Sequence, residues 1–372
     1  CNQLSSAFYG TDNEPLLNRF GRFKSKNEYD NNDRQLRNTT YGINDEPVAN
    51  SYGVAGSSYE YKNGLVIRTT RFDEHFKTAR ASAAGDGIAI LKYEYDDRGN
   101  QIKQSYFDEN DQPINGHSGY HSITYTYDPL DMLTSQSNYD KYGNRAINRD
   151  SIHKYVYEKD DKGRTIQQAY YDKNNTPVKD PSDKAYMVKY KYDEQGRRVS
   201  ESYWQNNTTK MGRWNGYHEE ITKYNEDGLD IEYAFYDENG KLFISTSGYS
   251  RVVNIYGSNS KLTERKYMNG NDGITMANSL VNGFCAIKFT YDSKGRIGNI
   301  RYFDGSGNPV NATAYLNDED LTFHKIEFTY TGTRITGQKH YLVGSETPSK
   351  IIDCLKSDYI NTGGVSQGYK NK

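Results

Sequence analysis

YEYDDRGNQIKQSYFDENDQPINGHSGYH, residues Tyr93 to His121, sets an aromatic-x-Tyr-Asp-x-x-Gly phrase before a Tyr-Phe-Asp-Glu-Asn phrase and closes on Gly-Tyr-His. The same sentence recurs along the chain. Its second anchor falls at Tyr29, Tyr61, Tyr95, Tyr127, Lys159, Tyr192, Tyr224, Tyr256, Tyr291 and Tyr330, at steps of 32, 34, 32, 32, 33, 32, 32, 35 and 39. A fixed period of this size marks a repeat architecture, with longer steps absorbed in loops. Asp follows the anchor at Asp30, Asp96, Asp128, Asp193 and Asp292, and follows the aromatic pair at Asp73, Asp108, Asp140, Asp172, Asp237 and Asp304.

Local chemistry turns each unit into a hairpin. Ser122–Tyr127 alternates with period two and is rich in β formers, as are Ile287–Tyr291 and Ile326–Tyr330. Turns of the type Asp96-Asp97-Arg98-Gly99 follow. Asp can accept backbone N–H groups there, and Gly tolerates positive φ. A second strand such as Gln101–Phe107 and a second turn complete the unit. The expected fold is all-β: an elongated or spiralling solenoid of about ten antiparallel β-hairpin repeats of roughly 32 residues. A short helix near Asp73–Ala81 is the one helical expectation. The expected divisions are an N-terminal segment over residues 1–20, the repeats over 21–343, and a cap or tail over 344–372.

Composition fits that fold. Only 34% of residues are hydrophobic and the mean hydropathy is -0.99, yet the chain carries 36 Tyr. Tyr buries a ring while keeping its hydroxyl at a wet edge, so a thin sheet can be built from rings stacked between units. Disordered chains are poor in aromatics. A net charge of -2 gives no basic field for nucleic acid. No apolar run reaches the roughly 18 residues of a membrane helix.

The phrase Tyr190-Lys191-Tyr192-Asp193-Glu194-Gln195-Gly196-Arg197 resembles the YD repeats of RHS-type proteins, whose β-hairpin strips wind into shells or spirals. Tyr106–Asn110, with Pro113 and Gly116 after it, resembles aromatic cell-wall-binding and glucan-binding repeats. The resemblance covers about Glu28 to Tyr341, and the period exceeds the twenty-odd residues of both families. The combined pattern is similar to that of bacterial, notably Bacteroidota, lipoproteins and surface proteins. It carries over no catalytic residue, because the resembling repeats are structural or ligand-binding.

The chain starts Cys1-Asn2-Gln3-Leu4-Ser5. A mature bacterial lipoprotein begins on a Cys that carries diacylglycerol, and two or more acyl chains anchor stably. Asn2 in place of Asp favours the outer membrane, with the periplasmic or surface face open. Cys285 and Cys354, 69 residues apart, are candidates for a disulfide in an oxidising compartment, with two buried thiols as the equal alternative.

His121, His153, His218 and Cys285 share one repeat position, which favours a loop-packing role. Turn formation accounts for the Asp residues, and no metal, cofactor or catalytic motif stands out. Both tryptophans lie in one unit: Trp204 in an aromatic core position, and Trp214 in a loop between Arg213 and Asn215. An exposed Trp beside polar groups suits a sugar ring or a protein partner. The expected function is therefore a non-enzymatic, lipid-anchored outer-membrane scaffold. Its expected partner is an envelope protein such as an outer-membrane β-barrel complex. The alternative is glycan or cell-wall binding through repeated aromatics. Aromatics exposed in register would favour that alternative, and buried ones would count against it.

Overall fold

The fold is known from a computed structural model, which describes residues 3–10, 12–18, 21–82, 86–270, 273–274, 281–316 and 319–354. Every regular element among them is a strand. The chain divides into two compact units, Cys1–Ser182 and Asp183–Lys372.

Unit 1 holds five hairpins: Lys24–Tyr29 with Gln35–Tyr41, Gly56–Lys62 with Leu65–Phe72, Ile90–Tyr95 with Gln101–Phe107, Ser122–Tyr127 with Leu133–Tyr139, and Lys154–Lys159 with Thr165–Tyr171. Unit 2 holds five more: Met187–Tyr192 with Arg198–Trp204, Glu219–Tyr224 with Asp230–Tyr236, Arg251–Tyr256 with Leu262–Asn269, Ala286–Tyr291 with Ile297–Phe303, and Lys325–Thr331 with Arg334–Tyr341. Each of the ten sequence anchors lies at or next to the end of a first strand. Within each unit the second strand of one hairpin pairs antiparallel with the first strand of the next, as at Gln104↔Ile123 and Glu201↔Glu220. The repeat is thus an antiparallel hairpin joined in series.

The first turn works as its sequence suggests. Asp96 Oδ1 accepts the backbone N–H groups of Arg98 at 3.0 Å and Asn100 at 2.9 Å. Gly99 takes φ +89°, a conformation that L side chains resist. Pairing then slips between Glu94↔Lys103 and Tyr95↔Gln101, a bulge that recurs before the anchor in each hairpin. Asp73–Ala81 forms the second turn rather than a helix. Asp73 Oδ1 accepts from the His75 and Lys77 amides, and Phe72 bridges to Thr78. Local capping by Asp outcompetes helical bonding there.

A third turn per repeat had no constant sequence signal. It starts at Asn50, Gly116, Asn148, Arg213 and Ser245, and repeats the same pair of backbone bonds, such as Arg213 N–H to Tyr217 O at 2.7 Å.

Alternation gives the ladder two faces. One carries polar and small pairs such as Lys92↔Ser105 and Glu94↔Lys103. The other carries the aromatics, as in Leu91↔Tyr106 and Tyr93↔Gln104. In unit 2 this aromatic face closes into a core. Tyr203, Tyr217, Phe235, Tyr249, Tyr267, Phe284, Tyr302, Phe323 and His340 form an unbroken chain of ring contacts, with centroids 4.4 to 6.0 Å apart. Rings do not stack on their equivalents in the next unit. A strand aromatic alternates with an aromatic from the connecting segment, mostly edge to face, which the ring quadrupole favours.

Unit 1 lacks that continuity. Thr40, Arg71 and Asn138 occupy the strand position that Tyr203 and Phe235 hold in unit 2. Each is satisfied locally: Thr40 Oγ1 donates to Val48 O and Ala55 O, Asn138 Nδ2 donates to Ile152 O, and Arg71 pairs bidentately with Asp86. The long last steps of the repeat are not plain loops. They hold a second sheet, Val281–Asn282 with Ala312–Leu316 and Glu319–Phe323, which adds Ala312, Ala314, Leu321 and Phe323 to the unit 2 core.

Candidate functional site

Trp214 is 61% exposed at the second position of a third turn in unit 2. Its support is tightly held. Arg213, half-buried beneath it, lies over the Tyr203 ring at 5.2 Å and the Tyr217 ring at 5.9 Å. It donates to Asp183 Oδ1 at 2.7 Å and to the Tyr217 hydroxyl at 2.8 Å. Gly216 takes φ +98°, and a Cβ there would meet the Phe243 ring at 2.6 Å, so turn geometry and close packing both require glycine. Trp214 therefore projects from a rigid turn. Phe243 packs against Gly216 of the same turn, and Ile244 is exposed.

Arg213 thus serves as a clamp rather than an exposed contact, and Trp204 lies on the opposite, polar face. The Trp204 indole N–H donates to Ser202 Oγ at 2.9 Å, its ring meets the edge of His218 at 5.2 Å, and Lys189 Nζ sits 4.1 Å over it. Its role is packing.

Beside Arg213 two carboxylates oppose each other. Glu201 and Glu220 are direct cross-strand partners. The Tyr203 hydroxyl donates to Glu201 Oε1 at 2.8 Å, Arg198 pairs with Glu201 at 2.8 Å, and the Tyr217 hydroxyl donates to Glu220 Oε2 at 3.1 Å. Burial pushes the Glu220 carboxyl up, and the neighbouring Glu201 adds to that direction against Tyr217 and Arg213. Sequence inspection missed this pair. The only signal was Glu at two positions where no other repeat carries an acidic residue.

The shared histidine position packs loops. Nδ1 of His121, His153 and His218 meets the carbonyls of Ile114, Ala146 and Met211 at 3.0 to 3.2 Å. His324 makes the same contact to Val310 O at 3.3 Å. Each ring sits edge-on to the aromatic of the adjoining hairpin: Phe107, Tyr139, Trp204 and Phe303. His324 was not recognised from sequence, because the inserted sheet displaces it from the period.

Cys285 and Cys354 are both buried, and they are not bonded to each other. Register explains why. The Cys285 amide bonds Phe303 O at the base of one hairpin, whereas the Cys354 amide bonds Thr336 O near the tip of the next. Some six residues of strand separate those levels, about 20 Å, far beyond the roughly 7 Å that a disulfide spans between Cα atoms. Cys1 lies outside the described residues.

In unit 1 the aromatic face carries a row of tyrosines. Tyr59, Tyr93, Tyr125 and Tyr157 occupy the same position in four successive hairpins and are all half-buried. Their cross-strand partners are Thr69, Gln104, Gln136 and Gln168. Burial raises the phenols of Tyr59 and Tyr125 and pushes Tyr157 up to about 12, with neighbouring tyrosines adding to it. A cavity of about 510 Å³ also opens in this unit, lined by Arg80, Ser82, Ile114, Asn115, His117 and Lys141 among others. Arg80 is ion-paired to Glu109 and Asp108. Among the described residues no three His, Cys, Asp or Glu side chains gather as metal ligands, and no helix is long and apolar enough to cross a membrane.

No family model matches the chain, and no curated protein matches it. Solved structures give only remote likenesses. The Photorhabdus luminescens Tc holotoxin pore aligns over 86% of this chain and 17% of its own, at 11% identity and a TM-score of 0.29. The TcdB2-TccC3-Cdc42 complex aligns over 89% and 16%, at 12% identity and a TM-score of 0.29. A porin-like protein from Bacteroides uniformis aligns over 81% and 88%, at 12% identity and a TM-score of 0.18. This chain spans under a fifth of the length of those two toxin chains.

Proposed function

We propose that this chain is a non-enzymatic binding and scaffold protein of the bacterial cell envelope, tethered to the outer membrane through lipid on Cys1 and docking a protein partner on unit 2. The observation that supports it is Trp214. A large apolar side chain held in water on a rigid turn costs little entropy to bury, which is the signature of an interface anchor. An envelope protein, such as an outer-membrane barrel complex, is the expected partner.

The test is detergent extraction of the native protein followed by affinity purification, with wild type and Trp214→Ala side by side. A stoichiometric partner that is lost on Trp214→Ala, at unchanged melting temperature, supports the proposal. A monomer without stoichiometric partner overturns it. Intact mass of the native N-terminus decides the lipid anchor.

A second reading, glycan binding, is favoured by one specific observation: the half-buried tyrosines in register along unit 1. The buried aromatics of unit 2 count against it there.

A further inference from the structure

We infer that the aromatic face of unit 1 is a lane for an extended, neutral β-linked glycan strand, with Tyr59, Tyr93, Tyr125 and Tyr157 as successive stacking platforms. The inference rests on the glycan reading of unit 1 and gives it residues, a direction and a length.

Three properties of the face specify the ligand. The first is spacing. Each tyrosine belongs to the first strand of its hairpin, so neighbours are two strands apart, about 9.6 Å at ~4.8 Å per strand, and two residues further along the strand, about 6.6 Å, because Gln104 pairs with both Tyr93 and Ile123, two residues before Tyr125. Each step is therefore a diagonal of about 12 Å, and three steps put the four rings along roughly 35 Å. A strand of β-1,4-linked pyranoses repeats every two sugars on a comparable scale, so alternate sugars would present the same face to successive rings. Isolated small sugars would use only one platform.

The second is chemistry. Pyranoses offer a C–H face for aromatic rings and a rim of hydroxyls. The tyrosines supply the first complement. Gln104, Gln136 and Gln168 supply the second: an amide carries both donors and an acceptor, which suits hydroxyls that do both. The Tyr93 hydroxyl lies 3.5 Å from Thr69 Oγ1, so a polar line runs between the rings.

The third is charge. The one ionic pair on the strand positions of this face, Arg71 with Asp86, is internally neutralised. A nucleic acid or an acidic peptide would need fixed positive charge that the lane does not offer. At the same strand position in unit 2, Asn254 and Phe289 are buried, whereas Tyr190, Thr222 and Phe328 are half-buried as the tyrosines of unit 1 are.

The experiment is calorimetric titration of the full chain with chito- and cello-oligosaccharides of two to six sugars, and with peptide-free peptidoglycan strands to separate a cell-wall source from an exogenous one. Four platforms on alternate sugars span about seven sugars, so affinity should keep rising through the hexasaccharide, and Tyr125→Ala should lower hexasaccharide affinity at least ten-fold. Gln136→Leu, which keeps the packing volume, should also weaken binding if Tyr125→Ala fails to fold. Trp214→Ala should leave binding unchanged. Equal affinity for disaccharide and hexasaccharide, or binding indifferent to the folded unit 1 variants, overturns the lane while glycan binding itself stands. No binding to any of these glycans overturns both.

Discussion

The Tyr127 hydroxyl donates to the Gln101 carbonyl, 26 residues upstream, at 2.9 Å. Gln101 opens the second strand of the preceding hairpin, beyond the three residues that the two hairpins pair, Lys103↔Thr124 to Ser105↔Ser122. The backbone ladder between repeats has ended there, and the phenol takes over the orphaned carbonyl. Tyr61, Tyr95, Tyr224, Tyr256, Tyr291 and Tyr330 make the same bond at 2.8 to 3.2 Å. The anchor tyrosine is thus a staple between repeats. Tyr127→Phe should lower stability by about 1 kcal/mol in urea unfolding, the ordinary worth of one such bond. Tyr142→Phe, at a 77% exposed tyrosine, should leave it unchanged.

Lys159 is where the staple is missing. Its Nζ turns to Thr165 Oγ1 at 2.7 Å within its own hairpin. Counting 26 residues back points to Leu133 O as the carbonyl a tyrosine would reach. Lys159→Tyr should stabilise the protein by roughly 0.5 to 1 kcal/mol, read as a higher urea midpoint at unchanged m-value. An unchanged or lower midpoint would show that the staple does not transfer between repeats.

The staple also shows how far the sequence could be read. Tyr at 32-residue steps announced the hairpins, because the bond needs a phenol at one fixed place. Asp at the first two turns was equally legible, since only a short acceptor caps two amides. The third turn was not: Asn50 and Asn148 cap two amides there as Asp does elsewhere, but Gly116, Arg213 and Ser245 start the same pair of backbone bonds without that cap. Trp214 stood out in the sequence as an exception, whereas the ion pair of Arg213 did not. Its partner Asp183 lies 30 residues away, and no local pattern joins them. The inserted sheet at 281–323 hid behind the lengthened steps, where periodicity carries no information.

Arg213 and Trp214 should separate cleanly under mutation. Trp214→Ala removes a mostly solvated ring and should change unfolding free energy by less than about 0.5 kcal/mol. Arg213→Ala leaves Asp183 and the Tyr217 hydroxyl without their donor, and should cost roughly 2 to 3 kcal/mol. Chemical denaturation of the two variants checks this. Equal costs would mean that Trp214 contributes to the fold rather than to a surface.

His340 should make unit 2 acid-sensitive. Burial lowers its imidazole to about 4, with Lys350 adding to that direction, and its Nε2 meets Gln338 Oε1 at 3.0 Å. The native state therefore holds it neutral, while the unfolded chain takes up a proton near pH 6.5. Stability from this group is complete above pH 6.5 and is lost as pH falls towards 4, by up to roughly 3 kcal/mol. Unfolding free energies measured from pH 7 to 4 should fall less steeply in His340→Gln than in wild type.

Glu220 should act in the opposite sense. Burial raises its carboxyl above the ordinary value, and Glu201 stands directly across the strand pair. The native state thus holds a proton that the unfolded chain has released. Stability from this group is present below the unfolded pKa and is lost as pH rises through the higher folded one. Above its raised folded pKa the Glu220 carboxylate stands directly opposite Glu201, and like charges facing each other across a strand pair cost about 0.5 to 1 kcal/mol. Glu220→Gln keeps an acceptor for the Tyr217 hydroxyl and removes the repulsion. It should raise stability by about that amount at pH 7 and by little at pH 4. A variant less stable than wild type at pH 7 would mean that Glu220 is needed as a charge, held by Arg213 and Arg198 more strongly than Glu201 repels it.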